Sequence, residues 1–243
     1  MKKEAKDPNN ITKKSSTLTI ENVQYFLRNS EDSFSNLVVK VGIIVGVYGG
    51  MRISEIIALN FEDVKYDQGK YEVIIKCSKA DPQGKGHSFL INPQPENTIC
   101  PCHWISKYIN CFEVKTGRFL RKILNSGKLS LPVGINTVAK YPKIVADFCG
   151  LEGSFTGHAM RRSSATILAD SGASIVQLKR FGRWKSSSVA EEYVDESSKS
   201  KIEVADMIGG KVAKFDSTLE ASSSTTNINL QGNFNNCQII IHK

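Results

Sequence analysis

Residues Thr156 to Tyr193 read TGHAMRRSSATILADSGASIVQLKRFGRWKSSSVAEEY, and the rest of the chain is organised around them. After the turn residues Gly153 and Ser154, GHAMRR opens a helix predicted to run to about Ala169. His158 and Arg161 lie three residues apart in it, one helical turn, so both side chains can reach one ligand. Ser174 with Gln177 makes a capping box for a short helix ending near Gly182. Ser188 with Glu191 makes a second, starting the helix that carries Tyr193. Trp184 falls on the loop between the two.

Working outward, Gly150 is a natural stop for a helix predicted over Thr137 to Cys149, in which Pro142 is tolerated only in the first turn. Before it come Phe119 to Ile123 and the turn-rich segment Asn125 to Gly134. A further helix over Pro101 to Lys115 would bury Trp104, Ile105, Tyr108 and Phe112. The CPCH run from Cys100 to His103 has no second, distant ligand pair, so buried thiols are favoured over zinc and no metal site is expected. Tyr71, Val73, Ile75 and Cys77 alternate with Glu72, Ile74, Lys76 and Ser78. With His87 to Ile91 this predicts a β-hairpin whose tip carries Lys79 and Lys85. Those lysines suit either a groove of a polyanion or plain solvation.

At the N-terminal side, Thr19 is a plausible cap for a helix burying Val23, Phe26 and Leu27. A second helix carries Leu37, Val41, Ile44, Val45 and Tyr48 on one face and stops at Gly49 and Gly50. The chain restarts as MRISEIIALNFEDV, with Ile53, Ile56 and Ile57 as the buried stripe and Arg52 held at the helix start. Glu55, one turn on, either orients Arg52 by a charge-assisted bond or forms an ordinary surface pair. Tyr25, Tyr48, Tyr71 and Tyr108 fall on apolar faces and read as structural.

The 243 residues carry a formal net charge of +8, which favours a polyanionic partner over a neutral one. The basic start lacks an apolar core, so no secretory signal is read, and Leu37 to Met51 is too short to span a bilayer. The six cysteines show no disulfide framework, which predicts free thiols and a reducing compartment. Three segments are expected: a basic arm over 1–17, one folded domain over 18–210, and a Ser/Thr/Asn-rich tail over 211–243. Lys199 to Ile208 would form one more helix, and the terminal NCQIIIHK a strand that pairs with the body or with a neighbouring protomer.

The ordered set GMRISE, the lysine of CSKAD, GHAMRR, the tryptophan of FGRW and the tyrosine nine residues beyond it resembles the tyrosine recombinase (phage integrase) family. The resemblance covers roughly Thr19 to Ser198. Tryptophan where many bacterial members carry histidine is similar to the Cre recombinase, and the chain as a whole is most similar to Crypton-type eukaryotic recombinases. The resemblance implies an α+β fold, mainly α-helical with a small antiparallel β-sheet or hairpin, the catalytic domain of DNA breaking-rejoining enzymes. It implies Tyr193 as nucleophile, Arg52 and Arg161 on the non-bridging phosphate oxygens, and Lys79 as acid for the leaving 5′-oxygen, with Lys85 as fallback. His158 would assist as base or donor and Trp184 would pack and donate its indole hydrogen, with Glu55 in support.

Lys79, Lys85, Arg162, Arg183 and Lys185 are then expected on the DNA. No cofactor and no metal are implied, because two arginines can do the electrostatic work that metal ions do in other phosphoryl transfers. The expected partners are double-stranded DNA and further copies of the chain, as a dimer or tetramer on DNA, with no membrane. A nuclear location follows if the chain is eukaryotic, and a cytoplasmic one otherwise. The family's usual N-terminal helical clamp of about a hundred residues is not matched, since fewer than twenty residues precede Thr19. A non-catalytic DNA-binding module and a type IB topoisomerase are the competing readings.

Overall fold

A computed structural model describes residues 15–76, 86–124 and 130–210. In chain order the helices are α1 (Ile20–Asn29), α2 (Phe34–Tyr48), α3 (Ile53–Ala58), α4 (Pro101–Ile109), α5 (Ile135–Val138), α6 (Tyr141–Phe148), α7 (His158–Asp170), α8 (Ile175–Gly182), α9 (Ser188–Glu196) and α10 (Ser198–Ile208). The strands are β1 (Val64–Asp67), β2 (Lys70–Ile75), β3 (His87–Ile91), β4 (Arg121–Ile123) and β5 (Ser130–Pro132). The first three form an antiparallel sheet in the order β1-β2-β3, and the last two form a separate hairpin. The mainly helical α+β class expected from the sequence is the class observed.

Helix α2 is the axis of the core. Every residue from Leu37 to Val47 is buried, so α2 is enclosed on all sides rather than along one stripe. Its glycines admit the neighbours. A Cβ on Gly42 would stand 2.5 Å from the Tyr141 ring of α6, and one on Gly46 would stand 2.5 Å from the Met160 sulfur of α7. Helix α7 is also tied to α2 by the Ser164 hydroxyl, which donates to the Val47 carbonyl. The α1 cap forms as expected: the Thr19 hydroxyl accepts from the Asn22 amide at 3.2 Å, and Asn22 accepts from the Thr19 amide at 2.9 Å.

Several expectations are corrected. The restart forms the expected helix from Arg52 as α3, which ends at Ala58, and Val64 then opens β1, an edge strand absent from the expected hairpin. The β1–β2 turn uses Gln68 (φ 46°) and Gly69 (φ 84°), the left-handed pair that matches the twist of a two-residue hairpin. Within the described residues β2 ends at Ile75, and Cys77 and Ser78 of the expected strand lie outside them. The helix expected over Thr137 to Cys149 is two, α5 and α6, with Pro142 in the first turn of α6, where its missing amide has no acceptor to lose. The turn-rich segment before it contains β5. Helix α4 stops at Ile109.

Cys100 and Cys102 are buried, Cys100 accepting from the Gln94 amide at 3.3 Å and Cys102 donating to the Ile91 carbonyl at 3.2 Å. Burial pushes the Cys102 thiol up to about 11. Tyr25, expected on an apolar face, is half exposed and tilts against the Phe148 ring at 5.8 Å.

One lysine is buried against this core. Lys40, 1% exposed, places its ammonium 3.6 Å from the Trp104 ring centroid and donates to the Ser30 carbonyl at 3.3 Å. Burial lowers it to about 8 from its ordinary 10.5. At Lys40 the unfolded chain therefore binds more of a proton than the folded one between pH about 8 and 10.5, and the contribution of this group to stability rises across that window. At about 1.4 kcal/mol per unit the rise is on the order of 2–3 kcal/mol. Chemical denaturation of wild type and Lys40→Met from pH 7 to 10.5 checks this by difference: Lys40→Met is expected to be the more stable of the two at pH 7, and its lead over wild type to shrink as the pH rises to 10.5.

Candidate active site

The site forms where the C-terminal end of α2, the start of α3, the start of α7 and the α8–α9 connection meet. Glycines allow the approach. The Phe89 ring of β3 occupies the space that a Cβ on Gly49 would need, with ring atoms 2.3–2.9 Å from that position. The base of the β2–β3 hairpin is thus held beside the Gly49–Arg52 turn. A Cβ on Gly157 would fall 1.8 Å from the Ile53 side chain, so the start of α7 lies directly on α3.

Arg52 is the N-cap of α3. Its amide donates to one Glu55 oxygen at 2.9 Å, and its guanidinium pairs with the other at 2.7 Å. The charge-assisted bond between Glu55 and Arg52 forms, and it is not an ordinary surface pair, since the Glu55 side chain is 2% exposed while that of Arg52 is 32% exposed. Burial alone would push the Glu55 carboxyl up. The Arg52 amide and the guanidiniums of Arg183 and Arg52 outweigh it and hold the carboxyl below its ordinary value.

Arg161 reaches across the site from the first turns of α7. One nitrogen donates to the Gly50 carbonyl at 2.7 Å and another to the Gly182 carbonyl, so the planar fork spans the turn before Arg52 and the end of α8. Burial, reinforced by the like charges of Arg52 and Arg183, brings this guanidinium down to about 10. It lies 5.3 Å from the Trp184 ring. Trp184 in turn stacks on Tyr193, with centroids 5.4 Å apart and planes 16° from parallel. Both rings pack on a small apolar cluster of Ala169, Leu178 and Ala190 that joins α7, α8 and α9.

The Ser174–Gln177 capping box is present, with the Ser174 amide donating to Gln177 at 2.8 Å. The second box is not. The N-cap of α9 is Ser187, without a side-chain cap, and Ser188 bonds Ser186 instead. Tyr193 is on the helix regardless, because the apolar face of α9 is what seats it.

His158 begins α7 one turn before Arg161 and is exposed. Lys185 is exposed and Arg162 half-buried. Arg183, expected among the surface cations, is turned inward: its side chain is 8% exposed and pairs with Glu55 at 2.7 Å. Lys79 and Lys85, together with the basic arm to residue 14 and the tail from residue 211, lie outside the described residues. His87, not singled out in the sequence, is half-buried at the start of β3. Burial and the charge of Arg183 lower its imidazole below the ordinary value. No local pattern marks it, since its environment is supplied by residues far along the chain.

Residues 16–200 match the family model described as the phage integrase family. The chain is 26% identical over 170 residues to an integrase/recombinase XerD homolog from Selenomonas ruminantium, covering 69% of this chain and 50% of that protein. Its fold is similar to that of XerH recombinase solved bound to a palindromic difH substrate in a post-cleavage complex. The TM-score is 0.62 at 17% identity, covering 84% of this chain and 56% of XerH. It is also similar to that of XerA recombinase (TM-score 0.58, 14% identity, 83% of this chain and 66% of that one). The chain thus spans about half the length of the curated relative it matches.

Proposed function

The chain belongs to the phage integrase family, and from that membership we propose that it cuts and rejoins double-stranded DNA through a 3′-phosphotyrosine bond in site-specific recombination. The observation that carries this reading is the joining of Arg52, Arg161 and the Trp184–Tyr193 stack by the Gly50 and Gly182 carbonyls and by the Glu55 carboxylate. The Tyr193 oxygen attacks the scissile phosphorus, a phosphorus–oxygen bond forms, and the bond to the 5′-oxygen breaks. The phenol proton passes to His158 or to solvent, and the leaving 5′-oxygen takes a proton from Lys79. Because one phosphoester replaces another, rejoining needs no external energy source.

Arg52 and Arg161 hold the non-bridging oxygens, on which negative charge grows as the fifth bond forms. The Trp184 indole packs beside the phenol and limits its rotation. Lys185, Arg162 and the hairpin lysines Lys79 and Lys85 contact the DNA backbone, which accords with the net charge of +8. Within the family the tryptophan groups this chain with Cre-like and Crypton-type members. On DNA it acts as a dimer or tetramer.

The test is covalent capture. The protein is incubated with nicked suicide duplexes of randomised core sequence, denatured, and the DNA that stays attached is recovered. Wild type is expected to retain DNA, and Tyr193→Phe none. Retention by Tyr193→Phe would remove the nucleophile assignment, and no retention by wild type would leave a DNA-binding module without strand transfer.

A further inference from the structure

Arg183 adopts a left-handed backbone (φ 51°, ψ 43°) at the C-cap of α8. Glycine takes that conformation without strain, whereas a side chain costs about 1 kcal/mol there. The arginine offsets the strain with long-range bonds. One terminal nitrogen reaches Glu55 at 2.7 Å and the Gly50 carbonyl at 3.2 Å, and the other reaches the Gly49 carbonyl at 3.3 Å. The side chain is more than nine-tenths buried, so these contacts are made away from solvent.

Two consequences follow from where its partners stand. Glu55 divides its carboxylate between Arg183 and Arg52, so the position of the Arg52 fork depends on how Arg183 occupies the other oxygen. Gly49 and Gly50 precede Arg52 with only Met51 between, while Trp184, stacked on Tyr193, directly follows Arg183. A single buried guanidinium therefore connects the segment that carries one phosphate-binding arginine to the segment that carries the nucleophile's stacking partner.

We infer that Arg183 is a positioning residue that holds the Arg52 turn and the Trp184–Tyr193 stack in register, and that it makes no contact with DNA. The inference rests on the strand-transfer reading above. Lysine cannot replace the arginine, because an ammonium has no planar fork to serve a carboxylate and two carbonyls at once.

The experiment compares wild type, Arg183→Met and Arg183→Lys on a nicked duplex recovered by covalent capture. It measures single-turnover cleavage at saturating DNA, duplex Kd across a salt series, and acrylamide quenching of tryptophan emission. Both variants are expected to lose about 10²-fold in cleavage, as a misplaced reacting group does, with Kd and its salt slope held within about twofold. Quenching is expected to rise as Trp184 loosens. Trp104, the other of the two tryptophans, is 7% exposed and packs against Lys40, nine residues before the Gly49 carbonyl that Arg183 bonds.

Weaker binding with a salt slope reduced by about one, and unchanged cleavage at saturation, would make Arg183 a phosphate contact and overturn the inference. Unchanged quenching in both variants would overturn it as well. Should wild type cut no duplex, the strand-transfer reading fails, while quenching still decides whether the clamp exists. Arg183→Lys retains the counter-charge of Glu55, which keeps the test open if Arg183→Met does not fold.

Discussion

Replacing Glu55 with glutamine is expected to destabilise the folded chain by about 3 kcal/mol or more, the scale seen when one member of a buried ion pair is removed. Glutamine keeps the shape and one acceptor oxygen. It leaves Arg183, 8% exposed, with no counter-charge, and frees the Arg52 fork from its 2.7 Å partner. For a domain of this size the loss corresponds to a fall in Tm of about 6–12 °C, measured by calorimetry. The effect has a pH signature. The Glu55 carboxyl is held below its ordinary 4.5, so its contribution is present in full above that value and is lost as the pH falls through its depressed one. The gap in stability between wild type and Glu55→Gln should therefore narrow in acid below about pH 4.5. A gap that stayed constant down to pH 3 would show that the carboxylate's charge is not what holds the two arginines.

Arg161→Lys is expected to lower single-turnover strand cleavage by about 10²–10³-fold, the cost of losing one preorganised donor to a developing oxyanion. The charge survives the substitution and the geometry does not. In the wild type the fork is fixed by the Gly50 carbonyl at 2.7 Å and by the Gly182 carbonyl, so its remaining donors have a set direction. An ammonium on a flexible stem can bond one carbonyl or approach the phosphate, but it cannot span both carbonyls and still face the phosphate. Duplex affinity should change little, because the lysine retains the charge that releases counterions. The comparison of cleavage at saturating DNA with Kd checks both parts. A loss confined to Kd would place Arg161 among sequence-independent backbone contacts.

Much of the fold was legible in the sequence because the deciding signals act over a few residues. The Thr19 and Ser174 caps, the periodic apolar faces of α1 and α2, and the alternation along β2 are short-range patterns, and each produced the element it predicts. The misses share a cause as well. Val64 to Asp67 carries no alternation strong enough to announce a strand, and it becomes one by pairing with β2. The run across Lys140 reads as a single helix, yet it breaks before Tyr141, whose ring fills the space opened by Gly42 on α2. In α9 the expected cap failed while the helix did not, since Ala190, Tyr193 and Val194 have an apolar cluster to join.

By itself the sequence determined which chemistry-bearing residues the chain possesses and the order in which they occur, together with the local helices that carry Arg161 and Tyr193. Only the tertiary structure decided which charges face solvent. Arg183 and Lys185 are two residues apart in a basic loop, and the same composition would suit either for a phosphate. One is exposed, while the other is spent on a carboxylate 128 positions away. Capping and periodicity are local and so can be read from neighbours. Whether a guanidinium is buried depends on the distant groups that surround it, and these come together only when α3, α7 and α8 have packed around the end of α2.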